Sequence, residues 1–243
     1  MRRRAVPGLL LILAVIAPVL AQRPAPRAPE AGSPQASLTR AADALLALKS
    51  ARFSLTREGT PAFLDQKTGV TFTTADCLYA APDRVSCNIK VALKGGTIVQ
   101  LTRVWVPEGT FQSNPLTKQF AKLPPDSSFD GNVLFARAGI PGVLRTAVQK
   151  AQTVGREKIG GRDTLHVKGE VSGKRLSPLM GGTVRPELTY PVDLWMDAAS
   201  AVAVQFHIAE PGNNGWLIVL SGANEPVAVP TPPVPATAPR PPA

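Results

Sequence analysis

A strict alternation of apolar and polar residues runs through residues 84–93. One phase holds Val85, Cys87, Ile89, Val91 and Leu93, and the other holds mostly polar residues. A period of two over this length predicts a half-buried β-strand. The turn Ala81-Pro82-Asp83 separates it from residues 70–79, so the two segments are predicted to form an antiparallel hairpin.

The same pattern predicts the remaining strands. One begins near Phe53, and others cover residues 98–106, 165–171, 202–208 and 216–220. The last of these is apolar in both phases, as expected for a strand that is covered on both faces.

Helical periodicity marks three further segments. Ser37 is predicted to cap the first helix, whose apolar side consists of Leu38, Ala41, Ala42, Leu45, Leu46 and Leu48. A second helix is expected over residues 140–151 and a short third helix over residues 174–180. Consecutive strands with short connections therefore predict an α+β fold, with the helices on one face of an antiparallel sheet.

The N-terminal residues predict export. Three arginines at positions 2–4 precede an uncharged apolar run, and small residues stand before Gln22. This pattern is typical of a signal peptide, here residues 1–21, cleaved before Gln22. The run is short and contains two prolines, which disfavours a membrane-spanning helix, and a retained N-terminal anchor is the alternative. We expect the protein in the periplasm, the cell envelope or the extracellular space.

Two low-complexity segments flank the centre of the chain. Residues 22–36 and 226–243 are rich in Pro and Ala. Such segments bury too little apolar surface to offset the entropy of ordering, so a linker and a disordered tail are predicted. Residues 37–225 are long enough for one domain with its own core.

The charge of the chain disfavours nucleic acid as a partner. The formal net charge of +10 falls to +7 once the three arginines of the predicted signal are removed. The remaining basic residues are scattered, and no aromatic residues are interleaved with them, unlike the surfaces that read nucleic acids. Such a surface has a general affinity for anionic lipid or polymer.

Cys77 and Cys87 are the two cysteines of the chain. A hairpin register centred on Pro82 places them directly opposite each other, at a spacing that a disulfide bridges. We predict this disulfide, which an oxidising compartment favours, and two buried free thiols are the alternative. Two cysteines and two histidines make a poor zinc-ligand set, so no metal and no cofactor are expected.

Three stretches of the chain resemble one family of exported lipoproteins. They are NPLTKQFAKLPPDSSFDGNVLFARAGIPGVL, VGREKIGGRDTLHVKGEVSGKRLSPLM and YPVDLWMDAASAVAVQFHI. Their order and spacing between about Leu38 and Val229 are similar to the family named for the mycobacterial envelope proteins LppX and LprA/F/G. The resemblance implies a curved antiparallel β half-barrel, with helices on its concave face enclosing an apolar cavity.

The resemblance also implies a function. It leads us to expect extracytoplasmic binding and transport of an acylated lipid or glycolipid, by a monomer that meets the membrane surface transiently and catalyses no reaction. The chain departs from the family where Leu20-Ala21-Gln22 replaces the lipobox, whose cysteine is acylated in family members. No diacylglycerol anchor can form at that point.

The expected cavity lies between helices and sheet, so apolar residues that face this space are candidates for its lining. On the helices and strands they are Leu45, Leu48, Ile89, Val91, Ile140, Val143, Leu144, Val148, Val167 and Phe206. The alternative is that these residues form an ordinary core. The glycine-containing loop 129–142 is predicted to be a mobile mouth, or else a surface loop packed on the core.

Two other functions compete with lipid transport. One is a non-carrier envelope protein on the same fold, either a lipid-sensing regulator or a structural partner of the wall. The other is an exported enzyme that uses His166, His207, Asp193 or Asp197, all predicted to point outward from strands. No Gly-x-Ser-x-Gly elbow accompanies them, so we do not expect an enzyme.

Overall fold

The structure is a computed structural model that describes residues 32–125 and 129–234, apart from the side chain of Asp65. The predicted signal peptide, most of the predicted linker and residues 235–243 of the predicted tail lie outside the described residues. The elements, in chain order, are α1 (Pro34–Leu46), β1 (Ser50–Glu58), β2 (Ala62–Asp65), β3 (Val70–Ala80), β4 (Arg84–Ala92), β5 (Ile98–Val106), β6 (Gly109–Ser113), β7 (Phe120–Lys122), α2 (Ile140–Thr146), β8 (Gln149–Ile159), β9 (Arg162–Ser172), α3 (Gly173–Leu176), β10 (Thr189–Asp197), β11 (Ala203–Glu210) and β12 (Asn214–Ser221). Two 3₁₀ turns cover Gly131–Leu134 and Ser177–Met180.

The strands form one antiparallel, open and curved sheet. Its order is β7-β6-β5-β4-β3-β1-β12-β11-β10-β9-β8, and β2 pairs with the free part of β3. Most neighbours follow each other along the chain, and the pairing of β1 with β12 joins the two ends of the domain. The helices lie on one face, so the predicted α+β fold with an antiparallel sheet is confirmed.

The predicted hairpin is formed by β3 and β4. Cys77 is in register with Cys87, and the two residues are joined by a disulfide with a Cα–Cα distance of 4.1 Å. The local alternation and the turn at Pro82 suffice to fix this register, since a slip by one residue would expose the apolar phase. The disulfide prediction is confirmed.

The first helix begins earlier than predicted. Pro34 opens α1, and the Ser33 hydroxyl caps it by accepting a hydrogen bond from the Ala36 N–H at 3.2 Å. Proline is favoured in the first turn because its φ is already helical and it has no N–H to satisfy. The assignment of Ser37 as the cap was wrong, because Ser37 lies inside the helix and is buried.

The second helix is shorter than predicted. It ends at Thr146, and Ala151 belongs to strand β8. Here pairing with β9 prevails over the helical periodicity, because Gln149 and the residues that follow pair with a strand edge that would otherwise be unsatisfied. Helix α2 packs against α1, where the Gln35 side chain donates a hydrogen bond to the Arg145 carbonyl at 2.8 Å.

A small second core lies on the convex face of the sheet. Val104, Val106 and Phe111 pack there with Val229, a residue of the segment for which composition predicts disorder. The Arg84 guanidinium donates to the Val229 carbonyl at 3.2 Å. The main core therefore occupies only the concave face, under the helices. No helix in the part of the chain that the structure describes is long and apolar enough to cross a membrane.

Candidate functional site

An apolar pocket of about 460 Å³ lies between the helices and the concave face of the sheet. Its floor includes Leu55 of β1, Phe206 of β11 and Ile218 of β12. These side chains are cross-strand neighbours, because Ile218 is in register with both Leu55 and Phe206. Leu45 of α1 and Leu144 of α2 lie on the opposite wall. Alternation along the strands thus aims one phase of apolar side chains at the helices.

The volume suits a single hydrocarbon tail. Small-molecule sites in proteins commonly measure about 300–1,000 Å³, and 460 Å³ falls in this range. If each methylene group takes about the volume of a water molecule in the liquid, roughly 30 Å³, the pocket holds about 15 of them. That is the length of one common acyl chain.

The structure brings together most of the residues proposed from the sequence as lining. Those at the pocket are Leu45, Ile89, Val91, Ile140, Val143, Leu144, Val148, Val167 and Phe206. Leu48 does not lie there: it follows α1 and is buried in the packed core. Whether the nine residues contact a lipid stays a prediction.

Several wall residues were not proposed from the sequence. Leu176 and Leu179 come from the α3 segment, whose short helical pattern was recognised but not assigned to the site. Ile218 lies in the strand that is apolar in both phases, so alternation did not reveal its inward phase. The register of β12 with β11, which pairs Ile218 with the inward residue Phe206, would have identified it.

The pocket reaches the surface beside strand β2. Leu64 lines the pocket and is nevertheless 49% exposed. Met180 and Gly181 also line it, from the 3₁₀ turn that follows α3. The opening therefore belongs to the end of the sheet where the β2–β3 turn lies.

The loop 129–142 covers part of the concave face through aromatic contacts. The Phe135 ring stacks on Tyr79 with centroids 4.0 Å apart and meets Phe53 edge-on at 5.4 Å. The Trp105 indole N–H donates to the Phe129 carbonyl at 2.6 Å. The Trp105 ring also lies against Gly131, because a Cβ on residue 131 would come within 2.7 Å of that ring. The loop is thus packed on the core at its start, and its predicted mobility stays a prediction.

A buried ion pair lies at one end of the concave face. The Arg57 guanidinium donates to Glu210 Oε2 at 2.9 Å, and the two side chains are only 8% and 16% exposed. The guanidinium also stacks over the Trp216 ring at 4.9 Å, and the Trp216 indole N–H donates to Glu210 Oε1 at 2.8 Å. Since Trp216 lines the pocket, this network fixes its wall at the ends of β1, β11 and β12.

Arg103 is a cationic residue of the pocket wall. Its Nε donates to Gln112 Oε1 at 3.1 Å, and Nη2 donates to the same oxygen. Desolvation by burial lowers the pKa of the Arg103 guanidinium from its ordinary value. Arg103 was not proposed from the sequence, although alternation in the strand 98–106 puts it on the same face as Leu101 and Trp105.

The histidines lie on the other face of the sheet. His166 Nε2 is 2.7 Å from Asp193 Oδ1, its Nδ1 is 3.0 Å from Glu157 Oε1, and its ring stacks on Trp195 at 4.3 Å. His207 is bound separately, with Nε2 at 3.0 Å from Glu58 Oε2. Strand alternation puts both histidine side chains opposite to their inward-facing neighbours Val167 and Phe206, although His207 is among the residues that border the pocket.

The other residues considered from the sequence have structural partners. Asp197 Oδ1 accepts hydrogen bonds from the Ala199 and Ser200 N–H groups at 3.1 and 2.8 Å, in the turn between β10 and β11. Among the described residues, no group of three His, Cys, Asp or Glu side chains is placed to hold a metal ion.

One protein family matches most of the chain, and solved structures share its fold. The profile of the LppX_LprAFG lipoprotein family matches residues 33–229. LprF from Mycobacterium bovis has a similar structure, with a TM-score of 0.67 and 18% identity over 83% of this chain and 99% of its own. LppX from Mycobacterium tuberculosis has a TM-score of 0.57 and 21% identity over 81% of this chain and 98% of its own. No curated protein sequence matches the chain.

Proposed function

Because the chain belongs to the LppX_LprAFG lipoprotein family, we propose that it carries an acylated lipid or glycolipid outside the cytoplasm, with a hydrocarbon tail in the pocket described above. Family membership supports a lipid-binding role, an exported and envelope-associated protein, and no enzymatic activity. The observation that carries the proposal is the apolar pocket itself.

The physical requirement for a carrier is a shield against water. Transferring about 15 methylene groups from a bilayer to water costs about 12 kcal/mol, at roughly 0.8 kcal/mol each. A pocket of about 460 Å³ with apolar walls offers a tail of that length similar burial. Transfer of the tail between the bilayer and the pocket then changes the free energy little, and this transfer requires no catalytic group.

Exchange with a bilayer requires a surface that touches it, and one end of the sheet has suitable properties. Phe63, Ile98 and Leu116 are between 53% and 85% exposed, in or beside the β2–β3, β4–β5 and β6–β7 turns. Phe63 is in register with Thr71, Thr71 with Ala92 and Ala92 with Ile98, so Phe63 and Ile98 lie in one row across four strands.

Basic residues accompany these apolar side chains. Lys94 lies in the β4–β5 turn, next to Gly69 of the β2–β3 turn. Lys118 of the β6–β7 turn donates to the Gln100 carbonyl at 3.4 Å. Lysines near an anionic membrane contribute about 1 kcal/mol each, and apolar side chains add burial at the headgroup boundary. We propose that this end of the sheet, which also holds the pocket opening at Leu64, docks transiently on anionic bilayers.

Native mass spectrometry of protein purified from its own envelope tests the carrier function. We expect a mass excess that organic solvent extracts as lipid, which also identifies the cargo. A clean apo mass, together with no binding of added lipid, would contradict the carrier and favour a non-carrier envelope protein on the same fold.

Vesicle co-sedimentation tests the docking surface separately. We expect Ile98→Ser and Leu116→Ser together to weaken binding to vesicles of phosphatidylglycerol and phosphatidylcholine. Val154→Ser is the control, because Val154 is 53% exposed but lies in β8 at the opposite edge of the sheet. Equal binding by the double variant and the control would contradict this assignment.

A further inference from the structure

The strand β5 brings a cation to a predominantly apolar wall. Arg103 is in register with Cys87 on β4 and with Gln112 on β6, and Cys87 is a buried pocket residue. Directly paired residues of an antiparallel sheet point to the same face. The Arg103 side chain therefore extends on the concave face, half-buried at the pocket.

The two half-buried or buried arginines of the concave face are satisfied differently. Arg57 uses all three of its nitrogens: Nε donates to the Thr60 carbonyl, Nη1 to the Gly215 carbonyl, and Nη2 to the Glu210 carboxylate. Arg103 has a neutral amide oxygen as its partner, which Nε and Nη2 share. Among the described side chains, which exclude that of Asp65, no carboxylate pairs with Arg103 and its Nη1 makes no hydrogen bond.

This difference has an energetic meaning. Removing a guanidinium from water is costly unless an anion or enough acceptors compensate it. Gln112 provides one acceptor atom, so the charge of Arg103 is left without a counter-charge. The same desolvation lowers the pKa of the Arg103 guanidinium, because burial disfavours its charged form. An anion that entered the pocket with a ligand would supply the missing counter-charge.

We infer that Arg103 binds an anionic headgroup, a phosphate or a carboxylate, of the lipid whose tail occupies the pocket. The inference rests on the proposed lipid-carrier function and adds a class of ligand to it. A guanidinium suits such headgroups because its donors form a planar fork that matches two oxygens of a phosphate or carboxylate. Most of the wall is apolar, although Lys168, Asp193 and His207 also border the pocket, so the headgroup contact would contribute to the choice between lipids of equal tail length.

A matched pair of lipids tests this on the unmodified protein. Palmitoyl lysophosphatidate and monopalmitoylglycerol have the same tail and differ by a phosphate. We expect calorimetric titration to show lysophosphatidate binding about 10- to 100-fold more tightly, the range of a charge-assisted hydrogen bond. Equal affinities would overturn the inference and leave the carrier function intact. Binding of neither lipid would overturn the carrier function as well.

Substitution of Arg103 assigns the effect to this residue. Arg103→Met is expected to remove the preference for lysophosphatidate and to leave the affinity for monopalmitoylglycerol within about threefold, while Arg103→Lys retains part of the preference. Lys90→Met is the control, because it removes one charge from the exposed face of the neighbouring strand β4. An equal loss for both lipids in Arg103→Met would overturn the inference.

Inorganic phosphate distinguishes a headgroup from a free anion. Phosphate alone lacks the tail, so millimolar phosphate is expected not to displace lysophosphatidate. Displacement at that concentration would show that Arg103 serves a soluble anion and would overturn the assignment to a lipid. The comparison of the two lipids on the unmodified chain needs no variant, so the test stands even where Arg103→Met fails to fold.

Discussion

Filling the pocket from its floor is the sharpest test of the proposed binding site. Ile218 lies on β12 near the middle of the sheet, with Leu55 and Phe206 as its pocket-lining neighbours on either side. Ile218→Trp would project a larger, rigid indole into the space between the sheet and the helices. Val219→Trp is the matched control, because the next residue along the strand points to the opposite face.

The expected magnitudes follow from the empty volume. An indole in place of the isoleucine side chain would displace roughly three methylene groups of a bound tail, at about 0.8 kcal/mol each. The loss of about 2.4 kcal/mol corresponds to about 60-fold weaker lipid binding. Overpacking of a filled core costs about 1–3 kcal/mol of stability, whereas the 460 Å³ pocket should accept the ring for less than about 1 kcal/mol.

Two measurements on the same preparations separate these effects. Titration with palmitoyl lysophosphatidate gives the dissociation constant, and urea unfolding gives the free energy of unfolding. We expect Ile218→Trp to bind weakly and remain stable, and Val219→Trp to bind as the unmodified chain does. A stable Ile218→Trp variant with unchanged affinity would refute the pocket as the binding site. A large loss of stability would instead show that side chains fill this space.

Three further predictions concern stability. Glu210→Ala should lower the free energy of unfolding by about 3–5 kcal/mol in urea, because it leaves a buried guanidinium unpaired, and Glu210→Gln should cost less. Replacing Cys77 and Cys87, which are 10 residues apart, with alanine should cost about 2–3 kcal/mol, and an unchanged urea midpoint would contradict this. Hydrogen bonds from the backbone and then the side chain of Ser200 lower the pKa of Asp197 below 3.8. The ionised carboxylate therefore stabilises the fold above pH 3.8, and this stabilisation is lost as the pH falls through the lower pKa of the folded state. Asp197→Asn should reduce this loss of stability in acid, and an equal loss in the variant and the unmodified chain would argue against the prediction.

The parts of the fold that the sequence predicted well are those with local causes. The register of Cys77 with Cys87 depends on a clean alternation and one short turn, both within about 20 residues. The same holds for the antiparallel class of the sheet, because short connections leave few other arrangements. The order of distant strands in the sheet could not be predicted in this way, because the pairing of β1 with β12 has no local signal.

The error at the end of α2 has a different physical origin. Val148 and Ala151 fit the helical face defined by Ile140 and Leu144, so periodicity continues past the point where the helix ends. Strand β8 is an edge strand with most residues exposed, and its sequence carries no alternation to oppose that pattern. Its backbone pairing with β9 decides the structure, and pairing partners are not visible in a local window.

Pocket and core cannot be told apart by hydrophobicity, because both are built from the same residues. Leu45 and Leu48 are three positions apart and both buried, yet Leu45 lines the pocket and Leu48 packs in the core. What separates them is the curvature of the sheet, a property of all its strands together.

A charged residue at an inward-facing position of a strand is more informative than an apolar one, because burying its charge in a filled core would cost several kcal/mol. Arg103 in the inward phase of β5 is therefore a local sign that this face meets something other than hydrocarbon side chains, and it makes the headgroup chemistry of the proposed lipid the property most open to test.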